Sequence, residues 1–406
     1  MYLKRKLVFL VLTTFICAIE AEGIGDSVNA FALDLLAATG AEGSSPRNLA
    51  LSPYTVWTLL SIVDEGAGGN TAKQLEAILR IPGGSNKDAF RRQFNNMTDI
   101  LSKKDQGVNL DIYNSIFTTA EQKLNPSFRD VSRNDYKVDV QPIDFRNLER
   151  ATETINTYVA QATRNRITNF IVPGDLTDAQ IFITSALYFK GAWKIPFNRT
   201  NTERASFYDE KQNKIGEVDM MYQIGSYPYS RFDWMKGYAV ELYYGNNDEM
   251  SMIVILPYKG QTLANMLQMM SQNPFSTIID RLDKVKDEFE GEDVKVYLPR
   301  FAAKSDLTLN TVLEKMGITD VFDPETADLL GMFPHFLYIS RLIQRAEIDV
   351  NEEGTVASAA SGAAIANKIP PPKFVANKPF LYFIVNKPTK SIVFAGRVTV
   401  PPLASQ

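Results

Sequence analysis

Cysteine and histidine are almost absent from this chain of 406 residues, which has one of each, Cys17 and His335. One cysteine excludes an internal disulfide and any site built from several thiolates. One histidine excludes His-rich metal centres and argues against Ser-His-Asp chemistry, and His335, between Pro334 and Phe336, reads as structural. There is no G-x-S-x-G elbow, no H-E-x-x-H and no phosphate-binding G-x-x-x-x-G-K-[ST] loop. Gly66, Gly68 and Gly69 fail the dinucleotide spacing at Thr71 and read as a turn. Neighbouring carboxylates such as Glu352 and Glu353 would point to opposite faces of a strand, which is a poor arrangement for paired acid and base. Neither sign of charge dominates: 43 Lys and Arg face 47 Asp and Glu, for a net −4, which argues against nucleic acid as the main partner. The expectation is therefore a protein that is not an enzyme and holds no metal or cofactor.

Apolar residues, by contrast, make up 45% of the chain and aromatics 11%, ample for a large core. Length alone suggests two or three domains at roughly 150 residues each. No linker, repeat or low-complexity tract divides the chain, however, and helical and strand patterns interleave throughout. That favours one α+β domain over residues 22–406.

The N-terminus carries a long, uncharged and mostly apolar run. Lys4, Arg5 and Lys6 precede Leu7 to Ile19, and small residues follow at Ala18, Ala21 and Gly23. This reads as a secretory signal over residues 1–21, too short for a membrane span of roughly 20 apolar residues. Cleavage after Ala21 would remove three cations, Glu20 and Cys17, taking the net charge from −4 to −6. The secreted, extracellular chain would contain no cysteine, so its core must supply its stability. Two glycosylation sequons fit secretion, at Asn96 and at Asn198, the latter in a polar, loop-like stretch.

The first third predicts helices. Val28, Phe31, Leu35 and Leu36 recur at helical spacing behind an N-cap at Asp26 or Ser27. Ser52-Pro53 opens a second helix with stripe Val56, Leu59, Leu60 and Val63. Thr71 and Gln74 form a capping box for a third, and Lys87 to Leu101 is a fourth. Strand patterns follow at Ile181–Trp193, Ser251–Leu256, Asp293–Leu298 and Arg345–Val350. Phe380–Val385 and Ser391–Val400 flank Asn386-Lys387-Pro388-Thr389 as a hairpin.

One segment has an unusual composition for its place. From Gly354 the chain reads GTVASAASGAAIANKIPPPK, rich in alanine and then in proline. Sorted as a strand, one face carries Thr355, Ala357, Ala359, Ser361 and Ala363, none of them charged or bulky. That face could enter a packed interior without cost from buried charge. A loop that stays in solvent has no need of such a face, whereas one that becomes a central strand does.

Here the chain resembles a known family. Asn351-Glu352-Glu353-Gly354-Thr355, followed by small residues, is similar to the hinge of an inhibitory serpin's reactive-centre loop. Phe374-Val375-Ala376-Asn377-Lys378-Pro379-Phe380 and Lys390–Val398 resemble the family's C-terminal segments. Leu49–Leu60, Ile155–Ile167 and Tyr188–Trp193 match others in order. The resemblance covers about Asp26 to Pro402 and implies three β-sheets, about nine helices and an exposed reactive-centre loop at about 352–373. It further implies a suicide mechanism: a protease cuts the loop, is held as an acyl-enzyme, and the loop inserts into the main sheet.

The resemblance also locates the bond. With Gly354 fifteenth before the cut, the reactive bond is Lys368–Ile369, and the spacing onward to Asn377 agrees. Lysine there suits a protease with an aspartate at the base of its specificity pocket, so the expected partner is a trypsin-like serine protease in a covalent complex. Pro370 to Pro372 would present Lys368 in extended form. A Lys-Ile bond is also like the activation site of trypsin-like zymogens, which would point towards an extracellular cascade; the alternative is that Ile369 is merely tolerated in the prime-side pocket. Inserting about 14 residues at ~3.3 Å each would carry the loop end roughly 46 Å. The uncut state must then be kinetically trapped.

Family members control sheet opening with a polar cluster, the shutter, matched here by Ser52, Thr55 and Asn156. Ser185 and Gln344 stand where asparagine and histidine are usual. Val356 stands where many members carry glutamate. Lys87, Arg91, Arg92, Lys103 and Lys104 lie where some serpins bind a glycosaminoglycan, which makes this a candidate second partner, although a glycan on Asn96 would crowd Arg92 four residues away. The chain is expected to act as a monomer. The alternative is a non-inhibitory serpin serving as carrier, chaperone or storage protein. That reading would require bulky or charged hinge residues, and none occurs between Thr355 and Ala364.

Overall fold

A computed structural model describes residues 23–40, 48–103, 107–288, 292–353 and 370–404. The proposed signal over 1–21 and the inserting segment from Gly354 to Ile369 lie outside the described residues.

Among the described residues the chain forms nine helices and fifteen strands in three sheets. The N-terminal quarter is helical: α1 (Ile24–Gly40), α2 (Pro53–Asp64), α3 (Gly69–Leu79) and α4 (Lys87–Leu101), with strand β1 (Asn48–Leu51) after α1. Val28, Phe31, Leu35 and Leu36 are all buried, as their spacing predicts. Three helix starts differ from expectation in register or chemistry. α1 begins at Ile24, so Asp26 lies inside its first turn, where a carboxylate complements the helix dipole, and Ser27 instead donates to the Arg80 carbonyl at 2.9 Å. α2 begins behind Ser52 as predicted, but the Ser52 hydroxyl does not cap it; it donates to the Val393 carbonyl at 3.0 Å. α3 begins at Gly69, two residues before the supposed box. Thr71 Oγ1 accepts from Asp328 N and the Gln74 amide is spent on Thr319 and Asp320. In each case a tertiary partner outcompetes the local one.

The five-stranded sheet has the order β11 (Phe301–Thr308), β12 (Ile339–Val350), β4 (Ile181–Gly191), β2 (Val108–Thr119), β3 (Val140–Ile143). The six-stranded sheet runs β1, β15 (Ser391–Val398), β14 (Phe380–Asn386), β9 (Met250–Pro257), β8 (Gly237–Tyr244), β7 (Tyr229–Phe232). The smallest is β13 (Lys373–Val375), β10 (Val294–Pro299), β6 (Lys214–Gly225), β5 (Glu203–Tyr208). The remaining helices are α5 (Pro126–Asn134), α6 (Leu148–Ala162), α7 (Leu263–Met270), α8 (Ser276–Glu288) and α9 (Asn310–Met316).

Strands β9 and β14 are apolar along their length because both their faces are covered. Ile253, Ile255, Leu381 and Phe383 face the helices around α1 and α2, while Val254, Tyr382 and Ile384 face the other two sheets. A third cluster joins α6, through Ile155 and Val159, to Phe117, Phe182 and Ile343 on the outer face of the five-stranded sheet. Gly396 shows why one position tolerates no side chain: a Cβ there would lie 2.1 Å from the Leu49 carbonyl on the neighbouring strand.

Candidate functional site

The two central strands of the five-stranded sheet lie side by side in the same direction. β12 pairs with β4 in parallel, from Ile339 opposite Ile181 to Ile348 opposite Phe189. β12 is longer than the predicted Arg345–Val350 and starts with an irregularity between Ile339 and Arg341. A parallel ladder is somewhat weaker per residue than an antiparallel one. A chain that leaves β12 at Val350 and turns back between these strands would run antiparallel to both.

The exit from β12 is held by named contacts. Trp193 donates from Nε1 to the Asn351 carbonyl at 2.9 Å and stacks on Tyr244 with centroids 4.3 Å apart. Glu352 is only 2% exposed. Arg300 Nε reaches both its carboxylate oxygens at 2.8 Å, Arg300 Nη2 reaches one at 2.7 Å, and Thr202 donates a further bond. Burial opposes ionisation of Glu352, but the Arg300 and Thr202 bonds outweigh it and hold the carboxyl below its ordinary range. Glu353 points the other way, into solvent, and pairs with Arg199. Thus the adjacent carboxylates do part to opposite sides, one clamped and one on the surface. Gly354, Thr355, Ala357, Ala359 and Ser361 lie outside the described residues.

Below the same two strands sits a buried polar cluster. Gln344 lies opposite Ser185 in the β12–β4 register, and both point towards the N-terminus of α2. Gln344 Nε2 donates to the Ser52 carbonyl at 2.8 Å and to Thr55 Oγ1 at 3.0 Å, with Ser185 Oγ at 3.4 Å. Gln344 Oε1 accepts from Ser52 N at 3.1 Å, and Ser185 Oγ donates to Thr55 Oγ1 at 2.7 Å. Ser52, Thr55, Ser185 and Gln344 are each at most 1% exposed. Asn156 is not part of this cluster. From α6 its side chain accepts from Phe170 N and Ile171 N, both at 2.9 Å, and donates to the Ile171 carbonyl at 3.0 Å. These bonds fasten Phe170 and Ile171 rather than the sheet.

The far anchor of the loop is the short strand β13, parallel to β10, and Lys295 N donates to the Pro372 carbonyl at 2.9 Å. Lys368 and Ile369 lie just before it, outside the described residues.

The basic stretch on α4 departs from expectation. Lys87 Nζ is 2.7 Å from Asp64 Oδ2, and Arg91 binds Glu65 with bonds of 2.9 and 2.6 Å and Asp88 at 2.8 Å. These two cations tie α4 to the end of α2. Arg92 and Lys103 remain exposed, and Lys104 lies outside the described residues. Asn96 and Asn198 are both exposed, and Asn198 Oδ1 accepts from Thr200 N at 3.0 Å. His335 is exposed rather than packed, beside Phe336 at 75% exposure. Among the described residues no three metal-ligating side chains converge, and no helix is long and apolar enough to cross a membrane.

Four residues that hold the exit from β12 were not singled out as such in the sequence: Arg199, Thr202, Arg300 and Trp193. Trp193 closes a family-like segment and could have been flagged. Arg300 could not, because its partner lies 52 residues away.

The comparisons with known proteins follow this geometry. The family model described as Serpin (serine protease inhibitor) matches residues 26–401. Leukocyte elastase inhibitor of Xenopus tropicalis is 31% identical, over 94% of this chain and 100% of its own. Serpin B6 of Pongo abelii is 30% identical, over 93% of this chain and 99% of its own. Among solved structures, Manduca sexta serpin-12 has a TM-score of 0.78 at 25% identity, over 94% of this chain and 99% of that one. Serpin48 of Tenebrio molitor, described as highly specific, has a TM-score of 0.74 at 25% identity, covering 93% and 98%. The three-sheet architecture, the paired central strands and these matches together make the chain a member of the serpin family, whose members are generally protease inhibitors.

Proposed function

We propose that this serpin is a secreted suicide-substrate inhibitor of trypsin-like serine proteases, cut between Lys368 and Ile369. The observation that carries the reading is the parallel contact of β12 with β4, because a strand that parted them and entered from the end of β12 would exchange one parallel ladder for two antiparallel ones. The small-residue face from Thr355 to Ala363 suits that place, since nothing on it must be desolvated at the cost of a charge. In the reaction the protease serine attacks the Lys368 carbonyl, the bond to Ile369 breaks, and the new amine leaves with a proton. The freed hinge then passes between β12 and β4 before water reaches the ester. The clamp on Glu352 and the cluster around Gln344 hold the sheet closed until then.

The test is incubation with trypsin and, separately, with an elastase, since several relatives are named as elastase inhibitors. A denaturant-stable band at the summed mass with trypsin, and a released peptide starting at Ile369, is the expected result. Cleavage without a covalent band would make the protein a substrate or a non-inhibitory serpin. A band with elastase alone would move the bond into the alanine-rich run. Ala357→Arg serves as control: it should turn inhibitor into substrate, because an arginine entering the sheet is costly to bury. Secretion is checked by expressing the full chain in secretory cells and sequencing the N-terminus, expected near Glu22.

A further inference from the structure

Two adjoining cavities lie between the ends of the reactive loop. The larger, about 360 Å³, is walled by Trp193, Tyr227 and Tyr243, with Ile195 and Leu242 completing an apolar interior. The smaller, about 170 Å³, reaches from Tyr227 and Tyr229 to Asp293 and Pro372. Tyr227 is the partition common to both; it is 6% exposed, and its buried hydroxyl has no hydrogen-bond partner. A buried hydroxyl left unpaired is costly, which marks a place where a partner atom is missing. A volume of this size with aromatic walls and charged groups at its rim falls in the range of small-molecule sites.

The charges at the rim select the ligand. Lys194 and Lys286 share one carboxylate, Asp248, at 2.6 and 3.2 Å. Asp287, Glu292 and Asp293 also line the cavities and have no cation among the described ion pairs. The aromatic wall already attracts ammonium groups: Lys286 Nζ stands 4.6 Å from the Tyr243 centroid, and Lys194 and Lys387 stand 5.9 Å away. Taken together the lining carries two lysines against four carboxylates, a net −2, which disfavours a carboxylate ligand and favours an amine.

We propose that these cavities bind a small organic cation, an amine carried on a flat aromatic body. The ammonium lies towards Glu292 and Asp293 and the ring among Trp193, Tyr227 and Tyr243. Because Trp193 also holds Asn351, an occupant that packs against its ring favours the closed hinge. The site therefore binds the uncut chain more tightly than the cut one, a coupling that rests on the proposed loop insertion.

Isothermal titration of the whole protein with tryptamine and with indole-3-propionate tests this, since the two share a ring and differ in charge. Tryptamine should bind with Kd of about 0.1 mM, as expected for a ligand of this size, and indole-3-propionate at least about tenfold more weakly. Asp293→Asn should weaken tryptamine about tenfold with an unchanged melting curve, and Tyr227→Phe about threefold with a midpoint that is not lowered, since it removes an unpaired buried hydroxyl. Equal affinity for the two probes, or no heat from tryptamine at millimolar concentration, overturns the site. Chain nicked in the reactive loop should bind tryptamine about threefold more weakly. Equal affinity there overturns the coupling and leaves the site standing. Failure to form a covalent protease complex would overturn the functional reading instead.

Discussion

At the scale of single residues, buried polar groups in this protein carry the testable energetics. Gln344 fills four hydrogen-bonding roles from a position 1% exposed. Gln344→Ala removes them and leaves the buried Ser52 N–H short of its partner, so it should cost about 1–3 kcal/mol. A lower thermal midpoint with unchanged far-UV circular dichroism is the expected record. Asp64 is a different case. Its Oδ2 pairs with Lys87, but its Oδ1 has no partner, and burial pushes its carboxyl up to about 6 despite that pair. A carboxyl that binds its proton more tightly when folded destabilises the fold above that value, and the penalty disappears as pH falls through 6 towards 4. The shift corresponds to a penalty on the order of 3 kcal/mol at pH 8. Asp64→Asn should therefore raise the unfolding midpoint at pH 8 and lose its advantage near pH 4. Melting curves across that range check it, and an advantage that grows on acidification would contradict the assignment.

At the scale of elements, the decisive contact is between the end of β12 and residues from the rest of the fold. Arg300 brings one guanidinium against a carboxylate that is 2% exposed. Arg300→Met would leave Glu352 buried with Thr202 as its remaining donor among these contacts, and removing one partner of a buried pair is worse than never having had it. Since Arg300 is itself 40% exposed, a cost of about 2 kcal/mol is expected rather than the full value for an interior pair. It should appear as faster limited proteolysis after residue 350. The clamp also depends on pH. Because the Glu352 carboxyl is held below its ordinary range, its contribution is present above the unfolded value near 4.3 and is lost as pH falls through the lower folded one. Helix starts teach the same lesson in reverse: Ser52, Thr71 and Gln74 have capping chemistry, yet each spends its side chain on a distant segment.

At the scale of the whole molecule, the proposed insertion requires free energy stored in the uncut chain. The β12–β4 pair is parallel, its hinge is clamped from outside the sheet, and a segment of suitable composition follows. If that segment inserts, the nicked protein should be the more stable form. Calorimetry before and after nicking by a protease that is not trapped should show a rise in midpoint of more than about 20 °C, many times the shift that 1 kcal/mol produces in a domain of this size. An unchanged midpoint would mean that the loop stays outside.

Much of this protein was legible in its residues alone. Helical and strand periodicities marked α1, α2, α4, β4, β9 and the β14–β15 pair, and ordered motifs pointed to the family. These features are local, set by side-chain spacing of 3.6 or 2 along one stretch of chain. Only the tertiary structure decided that β12 lies against β4 in parallel, that Glu352 is clamped by Arg300, that Asn156 belongs to another corner, and that Lys87 and Arg91 serve α2 rather than a free basic patch. Each of those depends on which distant residue comes within a few ångströms, and no periodicity along a single chain encodes that.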